Sequence, residues 1–404
     1  MTTDTLPADA AAPKRPGLGP VLLTVFLDLL GFGLVIPLLS FYAEEFHATP
    51  MQVTWLMATY SIAQFFGAPM WGIVSDRAGR RPVMLTSIAF TAIFLALFAS
   101  ATSLWQLFLF RALHGLAAAN ISTAQAYVAD VTEGPDRARG MGLIGAAFGV
   151  GFSFGPAIGG LLSPYGLSVP IWLAAGLSAL NFVWAFARLP ESLRPGASEG
   201  GHRRTLSPAA LLHGLRHPVV GMAVLLVFVA TFSFSMMEST FALVAEHIWS
   251  MGPKDVGAMF GIIGIVGIVV QGGMVGRLAK RFGEAPLVQV GYVCMALGMA
   301  ILASTPAGPG VWIGCAVMAL GSSLATPSLN SLISRGVGPD EQGAVLGVSQ
   351  SFSALARATG PATGGVLYAR WMPTGAMAGG ASLMVLALLV SLPATRRAVS
   401  GRPA

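Results

Sequence analysis

Charge is scarce in this sequence. Asp, Glu, Lys and Arg make up 10% of its 404 residues, against 54% hydrophobic residues. Soluble proteins carry about 25% charged residues, so a soluble globular domain is excluded. Cysteine is scarcer still. The two cysteines, Cys294 and Cys315, both lie in apolar runs, which suits packing rather than a disulfide framework or a metal pair. No HExxH pattern, Cys/His cluster or GxxxxGKS loop occurs. Metalloprotease chemistry and transport driven by ATP hydrolysis in this chain are therefore disfavoured. The start, Met1 to Gly19, is polar and rich in Ala and Pro. It has no short apolar region before a cleavage site, so no cleaved signal peptide is expected.

Long apolar runs fill the rest. They are about twenty residues each, which suits bilayer-spanning helices rather than barrel strands. The expected fold is an all-α integral membrane protein with about twelve spans: 18–42, 54–75, 82–100, 104–130, 138–163, 168–189, 218–247, 255–279, 285–305, 308–334, 341–369 and 373–395. A polar, basic stretch at 190–217 divides them six and six. The expected organisation is a tail at 1–17, a six-helix bundle at 18–189, a linker at 190–217, a second bundle at 218–395 and a tail at 396–404. With both termini and the linker cytoplasmic, all but four of the 23 basic residues fall at cytoplasmic positions; the exceptions are Lys254, Arg370, Arg111 and Arg357. This is the positive-inside pattern. The net charge of +6 thus reports topology, and no nucleic-acid partner is expected.

The two halves repeat each other. Gly72-x3-Asp76-Arg77-x-Gly79-x2-Pro82 reappears as Gly276-x3-Lys280-Arg281-x-Gly283-x2-Pro286, offset by 204. Gly155-Pro156-x2-Gly159-Gly160 reappears as Gly360-Pro361-x2-Gly364-Gly365, offset by 205, and Gly142 maps to Gly347. Two motifs at nearly one offset imply a parallel duplication of a six-helix unit.

The stretch MGLIGAAFGVGFSFGPAIGG, from Met141 to Gly160, carries no charge but is dense in glycine and holds one proline. Such a helix is costly in water. In lipid the backbone has no other partner, so the helix forms, and its glycines let a neighbour approach while Pro156 sets a bend. The spacing of Gly142, Gly151, Gly155, Pro156, Gly159 and Gly160 resembles the fifth-helix motif of drug–proton antiporters in the major facilitator superfamily. GIVSDRAGRR, with Gly72, Asp76, Arg77, Gly79, Arg80 and Arg81, resembles that superfamily's signature between the second and third helices. Arg111-Ala-Leu-His-Gly115 resembles its fourth-helix RxxQG motif, with His114 in place of glutamine. LDLLGFGLVIP, Leu27 to Pro37, resembles the first helix of the 12-span drug–proton antiporter branch, which includes tetracycline-resistance exporters.

The resemblance implies two pseudo-symmetric six-helix bundles, alternating access and proton-coupled efflux of a small amphipathic or lipophilic compound. It implies no cofactor, the proton gradient as energy source, and a cell-membrane location. A monomer suffices for this fold. One proton descending about 100 mV yields about 2.3 kcal/mol, roughly a fiftyfold gradient of a neutral cargo. A facilitator of a sugar or other metabolite is the alternative, and a membrane enzyme or channel a remote one.

Ionisable groups inside a span cost a few kcal/mol each, by insertion scales, so they mark function. Asp28 lies about 15 Å into the first span. Glu238 lies in the seventh. A carboxyl that alternately faces both sides can carry a proton, and the resemblance places the first and seventh helices along the central cavity. The resemblance assigns Arg111 to proton coupling. The resemblance implies that Asp76 latches onto the start of the eleventh helix, near Gln342 and Gly343, and a helix N-terminus favours an anion. Glu246 and His247 sit near the outer end of the seventh span, and Arg357 in the eleventh reads as structural. Phe32, Tyr60, Gln64, His114, Asn120, Phe234 and Met237 are the candidate cargo surface, since Met and aromatic walls suit cargo of varied shape. The third and ninth spans lack acids, save Glu284 just outside. Exporters of tetracycline usually carry acids there, so lipophilic cations, phenicols or a native metabolite are expected ahead of a tetracycline–metal chelate.

Overall fold

The computed structural model describes residues 17–132, 134–192, 218–336 and 342–399. The expected terminal tails and central linker fall largely outside these residues. The described residues are almost wholly helical and contain no strand. Among the described residues nine helices are long and apolar enough to cross a membrane.

In the first half, α1 covers Gly19–Glu44, with a 3-10 turn at Ile36–Leu38 around Pro37. It is followed by α2 (Pro50–Ala78), α3 (Arg80–Ala99), a divided α4 (Leu104–Ala117 and Asn120–Val131), α5 (Gly134–Leu162) and α6 (Ser168–Arg188). The second half comprises α7 (Pro218–His247), α8 (Pro253–Phe282), α9 (Glu284–Ser304), α10 (Pro309–Arg335), α11 (Gln342–Arg370) and α12 (Gly375–Val399). A π turn, Val270–Met274, interrupts α8.

The packing is the same in both halves. α1 lies against α5 and α6, α2 against α4, and α3 against α4 and α6. In the second half α7 lies against α11 and α12, α8 against α10, and α9 against α10 and α12. The halves meet through α5 with α8 and through α2 with α11. The α2–α3 and α8–α9 corners turn at Gly79 and Gly283, with φ of 103° and 83°. Those values favour glycine at both corners. Leu180, Val183, Leu386 and Leu389, on the peripheral α6 and α12, are exposed, as a lipid-facing surface requires.

Lipid tails are as apolar as leucine, so helix association in a membrane rests on close packing rather than on the hydrophobic effect. The glycine-rich α5 shows how. A methyl at Gly155 would lie 2.7 Å from the Cα of Gly33 on α1. On its other face, a methyl at Gly160 would lie 2.8 Å from the Cα of Gly257 on α8. The motif thus holds α1 within its own half and α8 of the other half. Farther along, Gly264 meets Ser153, and on the opposite interface Gly365 meets Thr54. All these inter-half contacts lie toward the Glu44/His247 end. Toward the other end Gly72, Gly142, Gly149, Gly272 and Gly347 face open space. Among the described residues the halves are therefore closed at the Glu44/His247 end, and no glycine contact joins them at the other. Both cysteines are free, with Cys315 buried.

Candidate functional site, a central chamber between the halves

The fourth span, expected to be continuous, is broken at mid-membrane. Ala118 is extended, with ψ of 92°. Backbone freed at membrane depth needs new partners, and neighbouring helices provide them. Ser87 of α3 donates its hydroxyl to the Ala117 carbonyl at 2.7 Å and accepts from the Ala119 N–H at 3.0 Å. Trp71 of α2 donates its indole N–H to the Leu116 carbonyl at 2.8 Å. Gly67 and Gly115 allow α2 and α4 to approach closely there.

The break places Asn120 at the start of the second half of α4. Its amide donates to the Asp28 carboxylate at 2.9 Å, while its own Oδ1 is buried without a partner. About two turns before the break, Arg111 is 4% exposed. Its guanidinium lies 4.7 Å from the Tyr60 ring centroid and 5.8 Å from that of Phe32. Tyr60 packs against Phe32 and, edge-on, against His114 at 5.1 Å. Cation–π contact partly replaces lost hydration, but the Nε of Arg111 has no hydrogen-bond partner. Among the described residues no carboxylate lies within ion-pair distance of it.

The second half contributes a different pair. Glu238 of α7 is half-buried, and its Oε1 lacks a partner. Arg357 of α11 is within Coulombic reach of Glu238 and Tyr60. It is exposed by area although protein surrounds it, as a side chain lining an open chamber would be. Arg357, Gly364 and Tyr368 follow helical spacing, and Gly364 packs on Met236 of α7 while Tyr368 reaches His247 of that helix. This row therefore faces α7. In the sequence Arg357 shows only as a lone arginine in a span, without a helix face.

The other candidates are spread more widely. Gln64 and Phe234 are half-buried, Phe234 against the core of the second half; Met237 is fully buried within that core. Asp76 pairs with Arg80, which also donates its Nε to Asp130 at 2.9 Å. The side chains of Gln342 and Gly343 lie outside the described residues. The anion at a nearby helix N-terminus is instead Glu191, which accepts from the Arg80 and Arg81 backbone N–H groups at 2.9 and 3.1 Å. Arg81 donates to the Leu189 and Phe186 carbonyls at the C-terminal end of α6. Arg77 is exposed.

The sequence profile of the Major Facilitator Superfamily matches residues 21–361. The chain belongs to that superfamily. It is 33% identical over 389 residues to an Escherichia coli tetracycline resistance protein, class C, covering 95% of this chain and 97% of that one. It is 29% identical to multidrug resistance protein 2 of Bacillus subtilis, covering 86% and 88%. The crystal structure of the human organic anion transporter MFSD10 matches with a TM-score of 0.72 at 26% identity, over 94% of this chain and all of that one. This member of the superfamily is a multi-pass cell-membrane protein that moves small molecules across the bilayer. It is a transporter rather than an enzyme, and at family level its relatives point to drug efflux.

Proposed function

We propose that the protein exports a small amphipathic compound in exchange for protons, working as a monomer by alternating access with both termini in the cytoplasm. The observation that carries this reading is a pair of carboxyls where the halves face each other: Asp28 is within Coulombic reach of Tyr60, and Glu238 of Arg357, which also reaches Tyr60. Each is on a helix of a different half, and neither has a fixed ion-pair partner within 4 Å among the described residues. Low dielectric favours the neutral, protonated carboxyl. A neighbouring arginine favours the charged one, so a shift of helices relative to Arg111 or Arg357 would bind or release a proton. The aromatic wall of Phe32 and Tyr60 supplies an apolar face for a ring-bearing cargo. The names of the relatives support a drug as cargo, with tetracycline-like and unrelated compounds both open.

A drug-susceptibility panel in an efflux-deficient host identifies the cargo. Transport of that cargo in proteoliposomes then tests coupling. The expected outcome is cargo movement that follows an imposed proton gradient and collapses with a protonophore. Movement indifferent to both would overturn the reading.

A further inference from the structure

At the closed end a second ionisable group bridges the halves. Glu44 ends α1, Glu246 and His247 end α7, and Tyr368 lies on α11. One ligand atom from each of Glu44, Glu246 and His247 lies within 4.8 Å of the others. The His247 Nε2 is 3.6 Å from Glu44 Oε1, too far for a hydrogen bond. Its Nδ1 is 2.8 Å from the Tyr368 hydroxyl. Glu246 Oε2 is buried with no partner. Two carboxyls thus converge on one imidazole, whose donor and acceptor nitrogens depend on its tautomer. No lysine or arginine pairs with them among the described residues. The outer end of α2, from Pro50 to Thr59, contains no titratable residue. On α1, Glu45 adds a further negative charge nearby, and Tyr42 is turned to the Phe98 and Ala99 carbonyls.

Two carboxylates at this distance repel unless a cation lies between them. The repulsion acts directly across the seam between α1 and α7, beside the Gly365–Thr54 contact that closes it. We propose that a proton held among Glu44, Glu246 and His247 latches this end of the transporter, and that the halves part there only once the proton leaves. The closed state then binds more protons than the open state, so closure weakens as pH rises. The latch acts apart from the chamber carboxyls and stands whatever the cargo.

The test is a spin-label distance across the closed end, between Thr102→Cys and Ala307→Cys in a chain with Cys294 and Cys315 replaced by alanine. No cargo is added. In the otherwise wild-type chain, raising the pH from about 5 to about 8 should shift the population from the short to the long distance. Glu44→Gln with Glu246→Gln should hold the short distance throughout, because neutral amides need no proton. His247→Gln, a milder change, should move the midpoint to lower pH, since one of the groups that can share the proton is lost. A pH-invariant wild type, an unchanged response in the Glu44/Glu246 variant, or an unmoved midpoint in His247→Gln would each overturn the latch.

Discussion

The two halves share a backbone plan and differ in chemistry. Both corners turn at a glycine with positive φ, Gly79 and Gly283. Beside each corner an ion pair joins equivalent helices, but its polarity is reversed. Arg80 at the start of α3 bonds Asp130 at the end of α4 at 2.9 Å; Glu284 at the start of α9 bonds Arg335 at the end of α10 at 3.0 Å. Steric needs of the turn are met only by particular residues, whereas an ion pair works in either direction. The chamber diverges further. In the first half Asp28 is tied to Asn120 and Arg111 lies on aromatic rings. In the second, Glu238 faces Arg357 on a different pair of helices. A duplicated scaffold therefore holds two unlike carboxyl sites, and the proposal that both carry protons can be divided between them.

Neutralising each carboxyl gives the largest expected effect. Asp28→Asn and Glu238→Gln should each reduce gradient-driven transport to the protein-free background, while purification yield and helical content stay unchanged. If only one variant loses coupling, the two halves divide into a proton site and a structural one. If both retain full gradient-driven transport, neither carboxyl carries the proton.

A second comparison concerns the two interfaces. α5 meets α8 at several small residues, Ser153 with Gly264 and Gly160 with Gly257, whereas Gly365 and Thr54 form the tight point between α11 and α2. Added methyl groups in close packing cost about 1–3 kcal/mol, about tenfold or more in the population of the closed state. Gly264→Val and Gly365→Val should therefore both open the Glu44/His247 end, read as the same distance shift as at high pH. Gly272→Val, on α8 where a side chain meets open space, should leave it closed.

Much of this was legible in the sequence, and what was not depended on other helices. Span edges followed from charge and Pro/Gly punctuation; α7, expected at 218–247, is Pro218–His247. The break in α4 was hidden because Gly115 to Asn120 contains no proline; Ser87 and Trp71, on other helices, hold it open. The facing of Arg357 was hidden because a helix face is defined only against its neighbour. The cluster at the closed end was half visible. Glu246 and His247 stood out, but Glu44 fell just past the expected end of the first span, and its closeness to them is a product of the fold. The expected grip of Asp76 on α11 falls on side chains outside the described residues; within them Asp76 pairs with Arg80.

The reversed ion pairs make the finest distinction. Arg80 and Asp130 side chains are 9% and 24% exposed, while Arg335 is 73% exposed beside Glu284 at 13%. Removing one partner of a buried pair strands a charge and costs about 3 kcal/mol; an exposed pair contributes about 0.5 kcal/mol. Asp130→Asn should lower the unfolding temperature in detergent clearly, softened by the remaining bond from Arg80 to Asp76. Arg335→Ala should barely move it, because water can solvate Glu284 and Ser331 still donates to that carboxylate at 3.1 Å. Equal losses in the two variants would mean that the reversed pairs are equivalent in strength as well as in place, and that exposure of Arg335 does not weaken its half of the scaffold.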